Sequence, residues 1–208
     1  MNDRFAVTEK FSIYDFNMNI ARDLSSIAKD MCCGSYVDGG NCSWYHGSWS
    51  VLRTLGLVSN PYWHYDFFRK QLSGRANEKY LVLGTADAST PFMLHTLGVT
   101  SVDILDLCRT PLFSCKLAAD RVGANWNLVQ GDVHCLSEAA LEPYYDVIVN
   151  DAFLTRFDAL GKLLAVTEIA KKLHPSSIYI STARFSDRDK SFKSKSYQST
   201  ESRRRYFV

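Results

Sequence analysis

The sequence lacks a long apolar run, an excess of one charge and a cysteine framework. No apolar run reaches the length that a membrane-spanning helix needs. The formal net charge is only +2, which argues against a nucleic acid or a membrane as partner. The six cysteines form no CxxC pair and no secretory signal begins the chain, so we expect reduced thiols in a cytoplasmic protein.

The sequence does contain enough apolar material for one ordinary domain. Its 208 residues are 46% hydrophobic, which allows a full core, and no internal repeat is present. In the stretch from Tyr80 to Ser89, four apolar residues are followed by Gly84 and by small and polar residues. This pattern is typical of a buried parallel strand that turns into its crossover helix, and ligands bind at such turns.

From residue 80 onward, apolar runs alternate with helix-compatible segments. We predict five strands, at residues 80–84, 101–106, 127–130, 145–149 and 177–183. The intervening helices are predicted at residues 91–97, 111–121, 136–141 and 158–173. This alternation predicts an α/β fold with a Rossmann-like, mostly parallel sheet of about five strands and helices on both faces.

Residues 1–75 follow a different pattern, which predicts a helical N-terminal subdomain with helices at 9–32, 43–55 and 61–72. A glycine-rich loop at 33–42 precedes a segment dense in aromatic residues. One interpretation is a helical core that docks on the sheet. The other is a lid over a ligand, with four residues as candidates to face it: Tyr36, Tyr45, His46 and His64.

An acidic residue follows the second predicted strand at a suggestive distance. Asp106 lies 22 residues after Gly84, close to the offset of about 20 residues at which a carboxylate reaches a ribose hydroxyl in nucleotide-binding units. A carboxylate that caps the next helix is the alternative. The later glycines of a dinucleotide fingerprint are replaced by Ala86 and Ala88, which disfavours a pyrophosphate ligand.

Four stretches together resemble the class I S-adenosylmethionine (SAM)-dependent methyltransferases. They are Leu83-Gly-Thr-Ala-Asp87, Ile104-Leu-Asp106, Gly131-Asp-Val133 and Tyr145-Asp-Val-Ile-Val-Asn-Asp151. The resemblance covers about residues 80–184. It departs from the family at the two alanines and at Val82, where an acid is usual. It implies SAM as the cofactor, and SAM carries no phosphate that would need the missing glycines.

The resemblance also implies a set of cofactor-binding residues. The amino-acid end of SAM is expected at Gly84, Thr85, Ala86 and Asp87, the ribose at Asp106, the adenine at Leu107, Cys108, Asp132 and Val133, and the methyl group near Asn150. An ordinary turn is the alternative for Asp132.

Three residues are candidates for catalysis: Asp151, Asn150 and His46. For Asp151 and Asn150 the alternative is a cap of the following turn, and for His46 a structural role in the aromatic cluster. Methyl transfer is an in-line displacement that depends mainly on placement of the nucleophile, so a strong general base is optional. Cys33, Cys42 and His46 suggest a zinc site, but a fourth ligand is missing, so the sequence predicts no metal.

The last segment, residues 185–208, carries seven Lys/Arg against three Asp/Glu. Its apolar residues are too scattered for two strands, so we predict a loosely held basic tail and no further antiparallel strand pair. The alternatives are a short edge strand at residues 205–208, a dimer contact or a truncated chain. The fifth strand would then be an exposed edge, which favours pairing with a second copy of the chain. The predicted domains are therefore 1–75, 76–184 and 185–208.

Three functions remain open on the sequence alone. The first is a methyltransferase for a small molecule, since an aromatic lid predicts an enclosed pocket. The second is an enzyme that directs attack to the aminocarboxypropyl chain of SAM and releases methylthioadenosine, as azetidine-2-carboxylate synthases do. The third is an inactive SAM-binding or scaffold subunit.

Overall fold

The computed structural model describes residues 12–32, 42–57, 61–184 and 204–207. Three helices come first: α1 (Ile13–Met31), α2 (Cys42–Thr54) and α3 (Pro61–Leu72). The strands are β1 (Tyr80–Leu83), β2 (Val102–Asp106), β3 (Asn127–Gln130), β4 (Tyr145–Asn150), β5 (Leu173–Arg184) and β6 (Arg204–Phe207). The remaining helices are α4 (Ser89–Thr96), α5 (Arg109–Val122) and α6 (Ala159–Lys171), with 3-10 helices at Val133–Glu138 and Phe153–Arg156.

The sheet has the strand order β3-β2-β1-β4-β5-β6. Strands β1 to β5 are parallel to their neighbours and β6 is antiparallel to β5. The predicted Rossmann-like sheet of five parallel strands with helices is thus confirmed. Because the chain order reverses at β1, a crevice forms outside the carboxyl ends of β1, β2 and β4, where α/β folds bind ligands.

Alternate residues of β1 pack into the two cores, one on each face of the sheet. Tyr80 and Val82 lie in the first core and Leu81 and Leu83 in the second, as the two-residue period of a strand requires. The second core includes Ala165 and Ile169 of α6.

The N-terminal helices share the first core with the sheet. Ile13 and Phe16 of α1, and Tyr65 and Phe68 of α3, lie in the same buried cluster as Val82. The predicted helical segment therefore packs onto the sheet. Of the predicted glycine-rich loop at 33–42, residues 33–41 lie outside the described residues and Cys42 begins α2. Among the described residues, no helix combines the length and the apolar composition needed to cross a bilayer.

The fifth strand is not the exposed edge that a strandless tail would leave, because β6 pairs with it, close to the short edge strand at 205–208 that the sequence left as an alternative. Ser181 to Arg184 of β5 pair with Arg204 to Phe207 in antiparallel register. Tyr206 and Phe207 have high strand propensity, which outweighed the surrounding charges in this short segment. The reason for expecting a dimer through this edge therefore disappears. Residues 185–203 lie outside the described part of the chain, so the predicted loose tail stays a prediction.

The predicted helix at 136–141 is instead a 3-10 helix at Val133–Glu138 with a non-helical residue, Cys135, inside it. Its start is set by Asp132, whose side chain accepts a hydrogen bond from the backbone N–H of His134. A side chain that bonds the backbone two residues on favours a short turn over a regular helix.

Candidate active site

The turn after β1 forms the floor of the crevice, and it requires glycine at its first position. Gly84 has φ +64°, in the left-handed region that side chains disfavour. A Cβ atom at Gly84 would also overlap the ring of Phe153. Phe153 reaches this position because Ala152, just before it, also has a left-handed φ of 55°. The N–H of Ala152 donates to Thr182 Oγ1 at 2.8 Å and holds this backbone in place.

Asp106 joins this turn to the end of β2. Its Oδ2 accepts a hydrogen bond from the backbone N–H of Thr85 at 2.9 Å, and its Oδ1 accepts one from the N–H of Cys108 at 2.8 Å. The carboxylate is buried. Burial raises the pKa of Asp106 to about 7. The two backbone N–H donors favour the charged form and lower the pKa, but burial has the larger effect. Each oxygen keeps a lone pair for a further donor.

A buried arginine lies between two carboxylates at the floor of the crevice. Arg53 of α2 has its Nε 3.3 Å from Asp87 Oδ2 and its Nη2 3.3 Å from Asp151 Oδ2. Its Nη1 also donates to the hydroxyl of Tyr65. Burial opposes the charge of Arg53, but the two carboxylates outweigh it and raise the pKa of Arg53. The network ties α2 to the ends of β1 and β4.

The sequence interpretation did not select Arg53, although a signal was present. On α2 the buried positions include His46, Trp49, Ser50 and Arg53, which recur at helical spacing. An arginine on the buried stripe of a helix indicates a buried acidic partner. The sequence did not show which acids pair with Arg53, because Asp151 is 98 residues away along the chain.

The two candidates at the end of β4 both have partners in the sheet. Asn150 is fully buried; its Nδ2 donates to the Tyr179 hydroxyl and its Oδ1 accepts from Ser181 Oγ at 2.7 Å. Asp151 Oδ1 accepts from Thr182 Oγ1 at 2.8 Å, while its other oxygen faces Arg53. Asp151 is therefore held in one orientation, and Asn150 links β4 to β5.

Asp87 is also engaged within the protein. Its Oδ1 accepts the N–H of Ser89, two residues on, at 2.9 Å, which stabilises the turn before α4, and its Oδ2 is paired with Arg53. The side chain is buried. Asp87 therefore orients the turn. The electrostatic field at this end of the crevice is set by the carboxylates of Asp87 and Asp151 and by the guanidinium of Arg53.

At the end of the crevice where adenine is expected, 45% of the surface of Leu107 is exposed. This residue offers apolar surface directly after Asp106. The N–H of Gly131 donates to the Asp106 carbonyl at 3.0 Å, which brings Asp132 and buried Val133 to the same edge. Asp132 is the N-cap of the 3-10 helix at Val133–Glu138, and 47% of its side chain is exposed.

Cys108 and His46 are buried next to the residues that border the crevice. Cys108 is buried, with its Sγ 3.2 Å from Cys42 Sγ. His46 is buried and hydrogen-bonds the backbone of Ala86; burial, together with the charge of Arg156, lowers the pKa of His46 to about 4. Such a ring is neutral at pH 7 and is a weak general base.

Helix α2 also covers part of the crevice. The guanidinium of Arg156, which follows β4, lies 4.6 Å from the centroid of the Tyr45 ring, and Tyr45 in turn packs on Trp49 at 4.8 Å between ring centroids. These contacts join α2 to the segment after β4. Of the other lid candidates, Tyr36 and the side chain of His64 lie outside the described residues.

Comparison with known proteins gives matches at the level of fold only. No protein-family model matches the chain, and no curated protein matches its sequence. Solved structures match well, among them the glycopeptide N-methyltransferase MtfA, with 18% identity, a TM-score of 0.52, and coverage of 62% of this chain and 56% of that one. A second structure of MtfA, complexed with S-adenosyl-L-homocysteine, has 16% identity and a TM-score of 0.50, with 62% and 55% covered.

A SAM-dependent methyltransferase from Clostridium acetobutylicum matches with 12% identity and a TM-score of 0.52, covering 64% of this chain and 54% of that chain. This protein has the fold of these methyltransferases. The chain spans about half the length of the structures it matches.

Proposed function

We propose that this protein is a SAM-dependent methyltransferase that acts on a small molecule. The observation that carries the proposal is Asp106, a buried carboxylate at the end of β2 that accepts the Thr85 N–H of the turn after β1. A carboxylate in this position is suited to a ribose diol, because each oxygen can accept one hydroxyl hydrogen. The fold it shares with known methyltransferases supports the same assignment.

The residues around Asp106 fit the other parts of SAM. Leu107 offers apolar surface to the adenine ring, and the exposed carboxylate of Asp132 can accept from its amino group. The turn at 84–87 offers backbone groups, and the acids Asp87 and Asp151 favour the ammonium and sulfonium charges. The ring of Phe153 lies against Gly84, and an aromatic face attracts a cation nearby.

When bound, SAM supplies an electrophilic methyl group that an acceptor displaces in line. The protein's part is to place the acceptor at about 3 to 3.5 Å from that carbon. Asp151 is suited to orient an acceptor, since Arg53 and Thr182 hold its carboxylate in one orientation. Because placement accounts for most of the acceleration, the low basicity of His46 is compatible with activity.

The proposed substrate is small because helix α2 covers the crevice. The contact of Arg156 with Tyr45 joins α2 to the segment after β4, and a site bounded by α2 supports a small molecule as substrate over a macromolecule.

A second function is favoured by the altered turn. Ala86 and Asp87 stand at the amino-acid end of the proposed cofactor, and Asp87 is paired with buried Arg53. This environment would suit chemistry on the aminocarboxypropyl chain, in which a nucleophile attacks the carbon beside sulfur and methylthioadenosine leaves.

The products distinguish the two functions. The protein is incubated with SAM, with and without a metabolite extract, and the adenosyl product is identified by mass spectrometry. S-adenosylhomocysteine that forms only with extract supports methyl transfer. Methylthioadenosine supports the second function. If SAM does not bind at all, both proposals fail.

The ribose assignment makes a separate prediction. Asp106→Ala should weaken SAM binding by about 1.5 to 3 kcal/mol, the range for charge-assisted hydrogen bonds, or roughly 10- to 150-fold in Kd by calorimetry. Asp103→Ala is the matched control: Asp103 is on the same strand and accepts from the Tyr145 hydroxyl, so its loss should leave SAM affinity unchanged. Equal affinity of Asp106→Ala and wild type would contradict the assignment.

A further inference from the structure

Three cysteines and one histidine meet where the N-terminal helices contact the end of β2. Cys32 is the residue that ends α1, Cys42 and His46 are on α2, and Cys108 precedes α5. One ligand atom from each of these four residues lies within 4.8 Å of all the others. Cys42, His46 and Cys108 are buried and Cys32 is half-buried. Three segments of the chain, the end of α1, helix α2 and the start of α5, thus converge on one point.

The spacing of these atoms is close to that of a tetrahedral zinc site. With Zn–S bonds of about 2.3 Å and Zn–N bonds of about 2.0 to 2.1 Å, tetrahedral ligand atoms lie roughly 3.5 to 3.8 Å apart. The Cys42 and Cys108 sulfurs are 3.2 Å apart. The largest separation in the group is 4.8 Å or less, so small side-chain rotations bring all four atoms onto one ion.

An independent observation at His46 points to a ligand. Its Nδ1 is buried and has no hydrogen-bond partner, although the ring hydrogen-bonds the backbone of Ala86 through its other side. Buried polar atoms are nearly always satisfied, so an unpaired nitrogen on a ring that lies beside three thiols needs an explanation. Metal-ligating histidines have this arrangement, with one nitrogen on the metal and the other donating to a backbone carbonyl.

We propose that Cys32, Cys42, His46 and Cys108 bind one structural zinc ion. Three thiolates and one imidazole are a usual set for tetrahedral zinc. Four protein ligands leave no open position for substrate, so the ion serves structure and not Lewis-acid chemistry. A single ion fits because the ligand atoms are too close together for an iron–sulfur cluster, whose separate irons each take their own thiolate.

A disulfide explains less of the same geometry. A bond between Cys42 and Cys108 would use two of the four groups and leave the Nδ1 of His46 unsatisfied. Zinc accounts for all four. The ion would also fasten α1 and α2 to the cofactor crevice, because Cys108 N–H donates to Asp106 and His46 contacts Ala86.

The sequence alone predicted no metal because a fourth ligand was missing. Cys33, one of the ligands considered there, lies outside the described residues. The structure supplies Cys32 and Cys108 instead, and Cys108 is 66 residues from Cys42, a separation that fits no usual zinc-finger spacing.

The first test is the metal content of the protein, measured by inductively coupled plasma mass spectrometry. The protein is expressed in medium with added zinc and purified under reducing conditions. We expect one zinc per chain in wild type. Cys42→Ser and Cys108→Ser should lose it. The matched controls Cys115→Ser and Cys135→Ser, a buried and an exposed cysteine outside the group, should retain it. Wild type without stoichiometric metal, or full zinc in both Cys42→Ser and Cys108→Ser, would overturn the proposal.

The second test needs no variant and so does not depend on folding. Wild type in which Co²⁺ replaces the zinc should show the intense visible d–d bands of a tetrahedral site together with thiolate-to-cobalt charge transfer. A weak, octahedral-type spectrum would overturn the proposal. Alkylation without reductant, followed by mass spectrometry, is a further check. If wild type contains no metal and Cys42 is disulfide-bonded to Cys108, the zinc proposal is overturned in favour of a disulfide.

Discussion

Arg53→Met is expected to destabilise the fold by about 3 to 5 kcal/mol, the range for removal of one member of a buried ion-pair network. The change leaves the carboxylates of Asp87 and Asp151 buried without their shared cation, and it removes the donor to Tyr65. Chemical denaturation monitored by circular dichroism measures the free energy of unfolding.

A second arginine provides the matched control for Arg53. Arg69 of α3 pairs with Asp66, whose side chain is 59% exposed, so Arg69→Met should cost only about 0 to 1 kcal/mol. The double variant Arg53→Met/Asp87→Asn should recover part of the lost free energy of unfolding, because only the carboxylate of Asp151 is then left buried without a cation. If Arg53→Met and Arg69→Met destabilise equally, the buried network does not hold α2 on the sheet.

Gly84→Ala is expected to cost about 2 to 5 kcal/mol, the sum of a left-handed residue and an overpacked contact. The φ of +64° disfavours any side chain, and the new Cβ overlaps the Phe153 ring. SAM binding should fall as well, because displacement of the turn moves Thr85 away from Asp106. Denaturation and calorimetry measure the two effects.

Gly123 separates the two causes of the Gly84 effect. It ends α5 with φ +68° and has nothing within 4 Å of an added Cβ, so Gly123→Ala should show the backbone cost alone, about 1 to 2 kcal/mol. Phe153→Ala in the Gly84→Ala background should relieve the overlap. Equal losses at Gly84 and Gly123 would mean that Phe153 does not pack against the turn.

The fold was largely predictable because each strand and helix carries its own local pattern. The apolar run at β1, the glycine after it and the alternation through β5 indicated the parallel sheet from spacing alone. Asp106 was predictable for the same reason, since a fixed number of residues separates the first turn from the end of the second strand. For the tail, the sequence offered a short edge strand at 205–208 only as an alternative, because four residues in β6 carry too little pattern to outweigh their charges.

The sequence by itself determined the order of the elements, the turn at Gly84 and the acid at Asp106, because these depend on residues near one another along the chain. Only the tertiary structure decided which distant side chains meet. It paired Arg53 with Asp87 and Asp151, placed Phe153 over Gly84, and brought Cys32 and Cys108 to Cys42 and His46. Such partners are set by how α1 and α2 pack across the sheet, and the local periodicity of a helix or strand records only which side is buried.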